Sequence, residues 1–225
     1  MIKEDRHLHS NFSDDAKDSM EAMVAVAIAH GYTTIAFTDH VRRSTPTPAP
    51  YMESLATVRA RFPDITILSG IEAKVIDLDG TIDARPEFYS SVDLVLASFH
   101  KIPKGNDEYF STREIRAYPD KVYSAWFTAF KNVLKNPNVH MIAHVTGIFK
   151  RYDLVVPQTL NEQIAEYARG ADKIFDINGR YNVPDQELLA LLKQAGVRLQ
   201  WGSDAHSVEE FIKLQSKYPY EHLDF

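Results

Sequence analysis

Short apolar runs rich in β-branched residues alternate along this chain with longer stretches of helical spacing, and the runs end on histidines, acids or an amide. The runs are "TTIAFT" 33–38, "ITILSGI" 65–71, "VDLVLAS" 92–98, "VHMIAH" 139–144, "KIFDIN" 173–178 and "RLQWGS" 198–203. With the opening segment 2–8 they make seven candidate strands. Strand, helix, strand with short connections predicts parallel strands joined by right-handed crossovers, in a sheet that is either doubly wound or closed into a barrel.

The polar residues decide between these. His7 and His9, Asp39 and His40, Glu72, His100, His144, Asn178, and Asp204 with His206 each fall at the carboxyl end of a run. A doubly wound sheet gathers ligand groups at one crevice from two or three strands, whereas a barrel brings all its strand ends around one mouth. Contributions from all seven segments favour an α/β fold built as a seven-stranded βα barrel.

At 225 residues a single domain over 1–225 is expected, large enough to bury about 70% of its unfolded surface without a structural metal. Cysteine is absent, so any metal must be held by nitrogen and oxygen, and no catalytic thiol exists. The net charge of −6 argues against a nucleic-acid partner. Neither a signal-peptide pattern nor an apolar run of about 18 residues occurs, which predicts a cytoplasmic protein with no membrane partner. The oligomeric state is not legible.

Locally, Asp18-x-x-Glu21 reads as a capping box opening a helix over 19–30 that Gly31 stops, and a second helix runs over 185–195 between Pro184 and Gly196. The prolines of "RRSTPTPAPY" 42–51 predict an exposed loop. Residues 102–117 read as a loop long enough to overhang the mouth as a lid or specificity loop. Trp201 and the aromatic residues of 122–130 read as core, and His30, His140 and His222 as ordinary histidines away from strand ends.

His7 and His9, two apart on a strand, share one face about 6.5–7 Å apart and can reach one ion. Six of the nine histidines sit at strand ends. So many imidazoles and carboxylates in one mouth would suffer desolvation and mutual repulsion without cations. Eight or more ligands suffice for two to three divalent ions, and imidazole with carboxylate suits Zn, Mn or Fe. Such a cluster suits hydrolysis of a phosphate ester by a metal-bridging hydroxide.

The series His7-x-His9, the acid at 14–15, "TDH" 38–40, "GIE" 70–72, "SFH" 98–100, "AH" 143–144 and "SDAH" 203–206 resembles the PHP (polymerase and histidinol phosphatase) family. That resemblance implies a distorted seven-stranded TIM-like barrel, usually with three metals. It implies that His7, His9, Glu72 and Asp204 hold one ion, with Glu72 bridging to a second held by His100 and His144. His40, His206 and the acid at 14–15 would hold the third. The stretch from Ser13 resembles the histidinol-phosphatase branch, which prefers Asp15 as the ligand with Asp14 as neighbour or substitute. Asp39 would orient a ligand imidazole or handle protons, and Asp39 and His206 would assist the leaving group.

A small phosphorylated substrate needs cationic donors beside the metals. Lys101, Lys150, Arg151 and Arg180 follow strand ends, with Arg151 and Arg180 the preferred pair. Asn178 could bond a metal ligand, the substrate or backbone. The leading expectation is a metal-dependent phosphatase acting on a small phosphomonoester, with histidinol phosphate the first choice. Its rivals are a phosphodiesterase or exonuclease on nucleic-acid ends, a metal-dependent amide hydrolase, and a non-catalytic metal-binding module. Seven strands, Glu72 and the extra His206 tell against the amide hydrolase. No ligand of the series is missing, which tells against the module.

Overall fold

The computed structural model describes residues 3–217. Its strands are β1 (Glu4–Leu8), β2 (Thr34–Val41), β3 (Thr66–Lys74), β4 (Leu94–Ser98), β5 (Pro103–Gly105), β6 (Glu108–Tyr109), β7 (Met141–Ile142), β8 (Ile174–Asn178) and β9 (Arg198–Gly202). Seven of these form one sheet in the order β1-β2-β3-β4-β7-β8-β9, and every neighbouring pair in it is parallel. The segment after β9 returns to β1. Asp204 N–H donates to the His7 carbonyl at 2.8 Å and His9 N–H to the Ala205 carbonyl at 3.0 Å. The result is a nearly closed α/β barrel, as the strand-end pattern predicts. Among the described residues no helix is long and apolar enough to cross a membrane.

Alternation along each strand sorts the side chains. Because successive residues point to opposite faces, Ala36, Leu94, Leu96, Met141 and Ala143 collect into a small buried cluster of their own, with Leu68 and Ile174 against it. Their neighbours of opposite parity, such as Ile35, Phe37, Val95 and Phe175, pack instead in the two larger clusters that include the helices. The polar groups share the parity of the small cluster but lie farther along each strand. His40 shares parity with Ala36, Glu72 with Leu68, and Asp176 and Asn178 with Ile174. One interior therefore has an apolar floor and a polar mouth.

Several local expectations change. β2 and β3 continue past Asp39, His40 and Glu72, so these residues lie within strands rather than just beyond them. The run 139–144 shortens to Met141–Ile142, because the chain turns at His144, whose φ is 32°. The first helix is Met20–Ala29 with Ser19 as its N-cap, accepting from Ala22 N–H. Asp18, expected as the cap, accepts from Val208 N–H instead. A helix begins at Ala49 inside the proline-rich segment, with proline in its first turn, where a missing N–H costs nothing. The segment 102–117 is a β5–β6 hairpin followed by a helix over Thr112–Ala117, not a bare loop.

The aromatic run 122–130 is core, as expected. Trp126 and Phe130 are fully buried and stacked at 5.1 Å between ring centroids. Trp201 is buried as well. His30 Nδ1 bonds the Val26 carbonyl and His140 Nδ1 accepts from Val95 N–H, so both do structural duty. His222 lies outside the described residues.

Candidate metal centre

Glu72 sits where the ligand sets meet. It lies in register with His40 across the β2–β3 pair, and its side chain is 1% exposed. Oε1 is 2.9 Å from His144 Nε2 and 3.3 Å from His100 Nε2. Oε2 is 3.0 Å from His40 Nδ1, 3.4 Å from His9 Nε2 and 3.5 Å from His7 Nε2. The carboxylate thus divides its two oxygens between two groups of imidazoles, an arrangement suited to bridging two ions.

The remaining candidate ligands close around it. Asp204 Oδ1 is 3.4 Å from His9 Nε2 and 3.8 Å from His7 Nε2. Asp15 places Oδ1 3.6 Å from His40 Nε2 and Oδ2 3.5 Å from His206 Nε2. Asp14, by contrast, accepts from Arg42 Nη1 at 2.7 Å. Three sets have donor atoms within 4.8 Å of one another: His9, His40 and His206; His7, His9 and Asp204; His40, Glu72 and His100.

Hydrogen bonding fixes where the lone pairs point. Asp176 Oδ2 lies 2.9 Å from His7 Nδ1, so the carboxylate takes the proton on that nitrogen. Ser13 Oγ donates to Asp39 Oδ1 at 2.7 Å, leaving it only able to accept from His9 Nδ1 at 3.1 Å. In the neutral rings both Nε2 atoms therefore present lone pairs, and they face each other at 3.1 Å. Two lone pairs at that distance repel unless a proton or cation lies between them. Among the described residues buried Glu72 Oε2 likewise makes no well-aligned hydrogen bond, although His40 Nδ1 approaches to 3.0 Å. An all-nitrogen-and-oxygen donor set wired this way fits divalent ions of the zinc, manganese or iron type.

The electrostatics agree. Burial pushes Glu72 up, but His100, His40 and His7 outweigh it and hold the carboxyl well below its usual range. Burial also opposes ionisation of Asp204, and His7 and His9 reverse this to leave it lowered. His9 is pulled well below the ordinary imidazole value, first by burial and then by the nearby charges of His40 and His206. It remains a free lone-pair donor at neutral pH.

The sequence marks Asp176 only weakly, as a carboxylate interrupting the apolar run "KIFDIN" two residues before Asn178. The imidazole-orienting carboxylate expected at Asp39 is found for His7 at Asp176. Asp39 accepts from Ser10 N–H, Ser10 Oγ and Ser13 Oγ, and reaches His9 only through Ser13. Burial pushes it up to about 6, with the Ser13 and Ser10 bonds pulling against this. Asn178 serves two carboxylates, donating to Asp176 Oδ2 at 2.9 Å and Asp204 Oδ2 at 3.2 Å. His144 and Asp204 both hold left-handed backbone, with φ of 32° and 59°, a local cost of about 1–3 kcal/mol each that clusters at functional sites.

Above the ligands opens a cavity of about 380 Å³. Of the expected substrate-binding residues, Lys101, Arg151 and Arg180 line it. Lys150 is not among its lining residues, and its Nζ donates to the Asn182 carbonyl at 3.3 Å. Arg180 also pairs with Glu210 at 3.0 Å. Tyr181, another residue the sequence reading passed over, lines the cavity and lays its ring 4.6 Å from that of His144.

Known proteins resemble this chain in sequence and fold. A protein of Acetivibrio thermocellus described as a "Probable phosphatase" is 30% identical over 95% of this chain and 83% of its own length. The crystal structure of histidinol phosphate phosphatase from Lactococcus lactis, complexed with zinc, L-histidinol and phosphate, superposes with a TM-score of 0.67 at 21% identity. It covers 96% of this chain and 93% of that one. The hisK protein of Listeria monocytogenes gives a TM-score of 0.76 at 17% identity, covering 96% and 100%. At those identities the two structures speak for the fold. The family model of the PHP domain matches residues 5–183, and with that span of the chain matched, the protein belongs to the PHP domain family.

Proposed function

We propose that the protein is a metal-dependent phosphatase hydrolysing a small phosphomonoester at the barrel mouth. The observation that carries this reading is Glu72, whose two oxygens divide between His100 and His144 on one side and His7, His9 and His40 on the other. A carboxylate so placed suits two ions close enough to act on one phosphoryl group. Asp15 and His206 extend the donor set toward a third. When bound, such ions polarise phosphoryl oxygens and acidify water.

The chain's own residues supply the rest. His7, His9, His40, His100, His144, Glu72, Asp204, His206 and Asp15 would hold the ions, with Asp14 a neighbour tied to Arg42. Arg151 and Arg180 would take the phosphoryl oxygens, since guanidinium forks match them. His206 lies at the cavity edge, 6% exposed, where it can also meet the leaving oxygen. Asp39 lies away from that edge among Ser10 and Ser13, so its part is to position His9 rather than to touch substrate.

Histidinol phosphate is the natural first ester to assay, given the Lactococcus likeness. The test is turnover of a phosphomonoester panel by protein loaded with Mn, Zn or Fe, before and after chelation. Loss of turnover in chelator, restored by metal, is expected. Undiminished turnover would overturn the metal mechanism.

A further inference from the structure

Beyond the ligand carboxylates, five cations line the cavity, Arg42, Lys74, Lys101, Arg151 and Arg180, against two carboxylates, Asp14 and Asp83. Asp14 is taken by Arg42 at 2.7 Å and Asp83 by Lys74 at 3.6 Å, while Arg180 finds Glu210. Lys101 and Arg151 have no carboxylate partner among the described residues. They stand on different sectors of the mouth, since strand order runs β3, β4, β7, β8. Lys74 ends β3 and Lys101 follows β4, whereas Arg151 ends the helix after β7 and Arg180 follows β8.

The lysine sector is held together by one aromatic ring. Tyr109, on the β5–β6 hairpin, has Lys74 Nζ 5.1 Å and Lys101 Nζ 5.2 Å from its ring centroid. The two ammonium groups share that ring, and of the two only Lys74 has a carboxylate, Asp83 at 3.6 Å. Lys74 is half-buried and Lys101 exposed at the mouth, and an anion reaching both would offset the repulsion between two like charges held on one ring. On the phosphatase reading Arg151 and Arg180 take the phosphoryl group, which leaves the lysine sector without an assigned anion.

We propose that Lys74 and Lys101 form a second anion subsite, so that the preferred substrate is a phosphomonoester whose alcohol carries a further phosphate or carboxylate. The proposal rests on the phosphatase reading and deepens it.

Three open-chain six-carbon esters isolate the effect: sorbitol 6-phosphate has no second anion, 6-phosphogluconate has a carboxylate and sorbitol 1,6-bisphosphate a phosphate. Metal-loaded enzyme is expected to show kcat/KM about tenfold higher, ~1.4 kcal/mol, for at least one of the latter two. Which one exceeds sorbitol 6-phosphate identifies the second anion. Lys101→Gln and Lys74→Gln should each collapse that ratio, and Lys101→Arg should restore it, with folding checked by circular dichroism. A ratio near one in the unsubstituted enzyme, or a ratio the Gln variants leave intact, would overturn the subsite while leaving the phosphatase reading standing. Calorimetric titration with the same three esters reads the subsite without turnover. If none is hydrolysed but a doubly anionic ester binds more tightly, and Lys101→Gln abolishes the difference, the subsite stands and the phosphatase reading falls. Equal binding, or binding of none, overturns the subsite.

Discussion

Asp176 Oδ2 lies 2.9 Å from His7 Nδ1, and the same carboxylate accepts the backbone N–H of His144 through Oδ1. One buried side chain thus fixes the tautomer of His7 on β1 and the position of His144 after β7, both candidate ligands. Carboxylates placed behind metal-bound imidazoles in this way raise ligand basicity, and their loss costs about 10–100-fold in metal affinity or activity. Asp176→Ala is therefore expected to fold, to bind Mn or Zn about 10–100-fold more weakly, and to lose turnover in step. Metal titration followed by calorimetry measures this. Unchanged affinity would remove Asp176 from the centre.

Gly202 closes the same side. A Cβ built there would lie 2.5 Å from His7 Cβ, so Gly202→Ala must push His7 off its ligand position. Overpacking of this kind costs about 1–3 kcal/mol, and loss of metal affinity should accompany the loss of stability. Gly196→Ala makes the contrast. Its φ is 72° and nothing lies within 4 Å, so backbone strain should lower stability by about 1 kcal/mol while metal affinity holds. Equal metal affinity in the two variants would contradict the packing argument.

Much of this architecture is legible because parity and strand-end chemistry are sequence properties. Seven apolar runs ending in His, Asp, Glu or Asn already describe a barrel with one polar mouth. The parts that were not legible depend on three-dimensional pairing. Asp176 reads as an isolated acid inside an apolar run until His7, from the far end of the chain, is placed against it. The β5–β6 hairpin hides because its strands are three and two residues long, too short for a period-two signal, and its turn rests on left-handed Asn106 and Asp107. Guanidinium chemistry already prefers Arg151 to Lys150, but only the helix Gly147–Arg151, turning about 100° per residue, puts the two neighbours on different sides, Arg151 at the cavity.

The adjacent acids at 14 and 15 separate by their partners. Asp15 faces His40 and His206, whereas Asp14 pairs with Arg42 on the exposed rim. Asp15→Asn should remove one ion from the full complement and lower kcat by more than about tenfold, as expected for loss of a ligand group. Asp14→Asn breaks only an exposed ion pair, with an effect on stability within about 1 kcal/mol. Metal counting by elemental analysis decides between them, and full occupancy in Asp15→Asn would reverse the assignment.

Acid should unload the centre, and the sign follows from the imidazoles. Burial pulls His7 down, but Asp204 and Glu72 more than reverse it and leave its proton held well above the ordinary range. His40 and His144 are raised against the same burial cost, chiefly by Glu72. An ion and a proton cannot share one lone pair, so ions must displace protons from these raised groups. Below the raised values each displacement opposes binding, and affinity climbs with pH until the pH passes them, beyond the ordinary imidazole value of about 6.5. Apparent affinity for Mn or Zn should therefore rise about tenfold or more between pH 6 and pH 8, with protons released on binding. Calorimetry in two buffers of different ionisation enthalpy counts those protons directly. A flat affinity with no proton release would mean that the imidazoles are not the ligands.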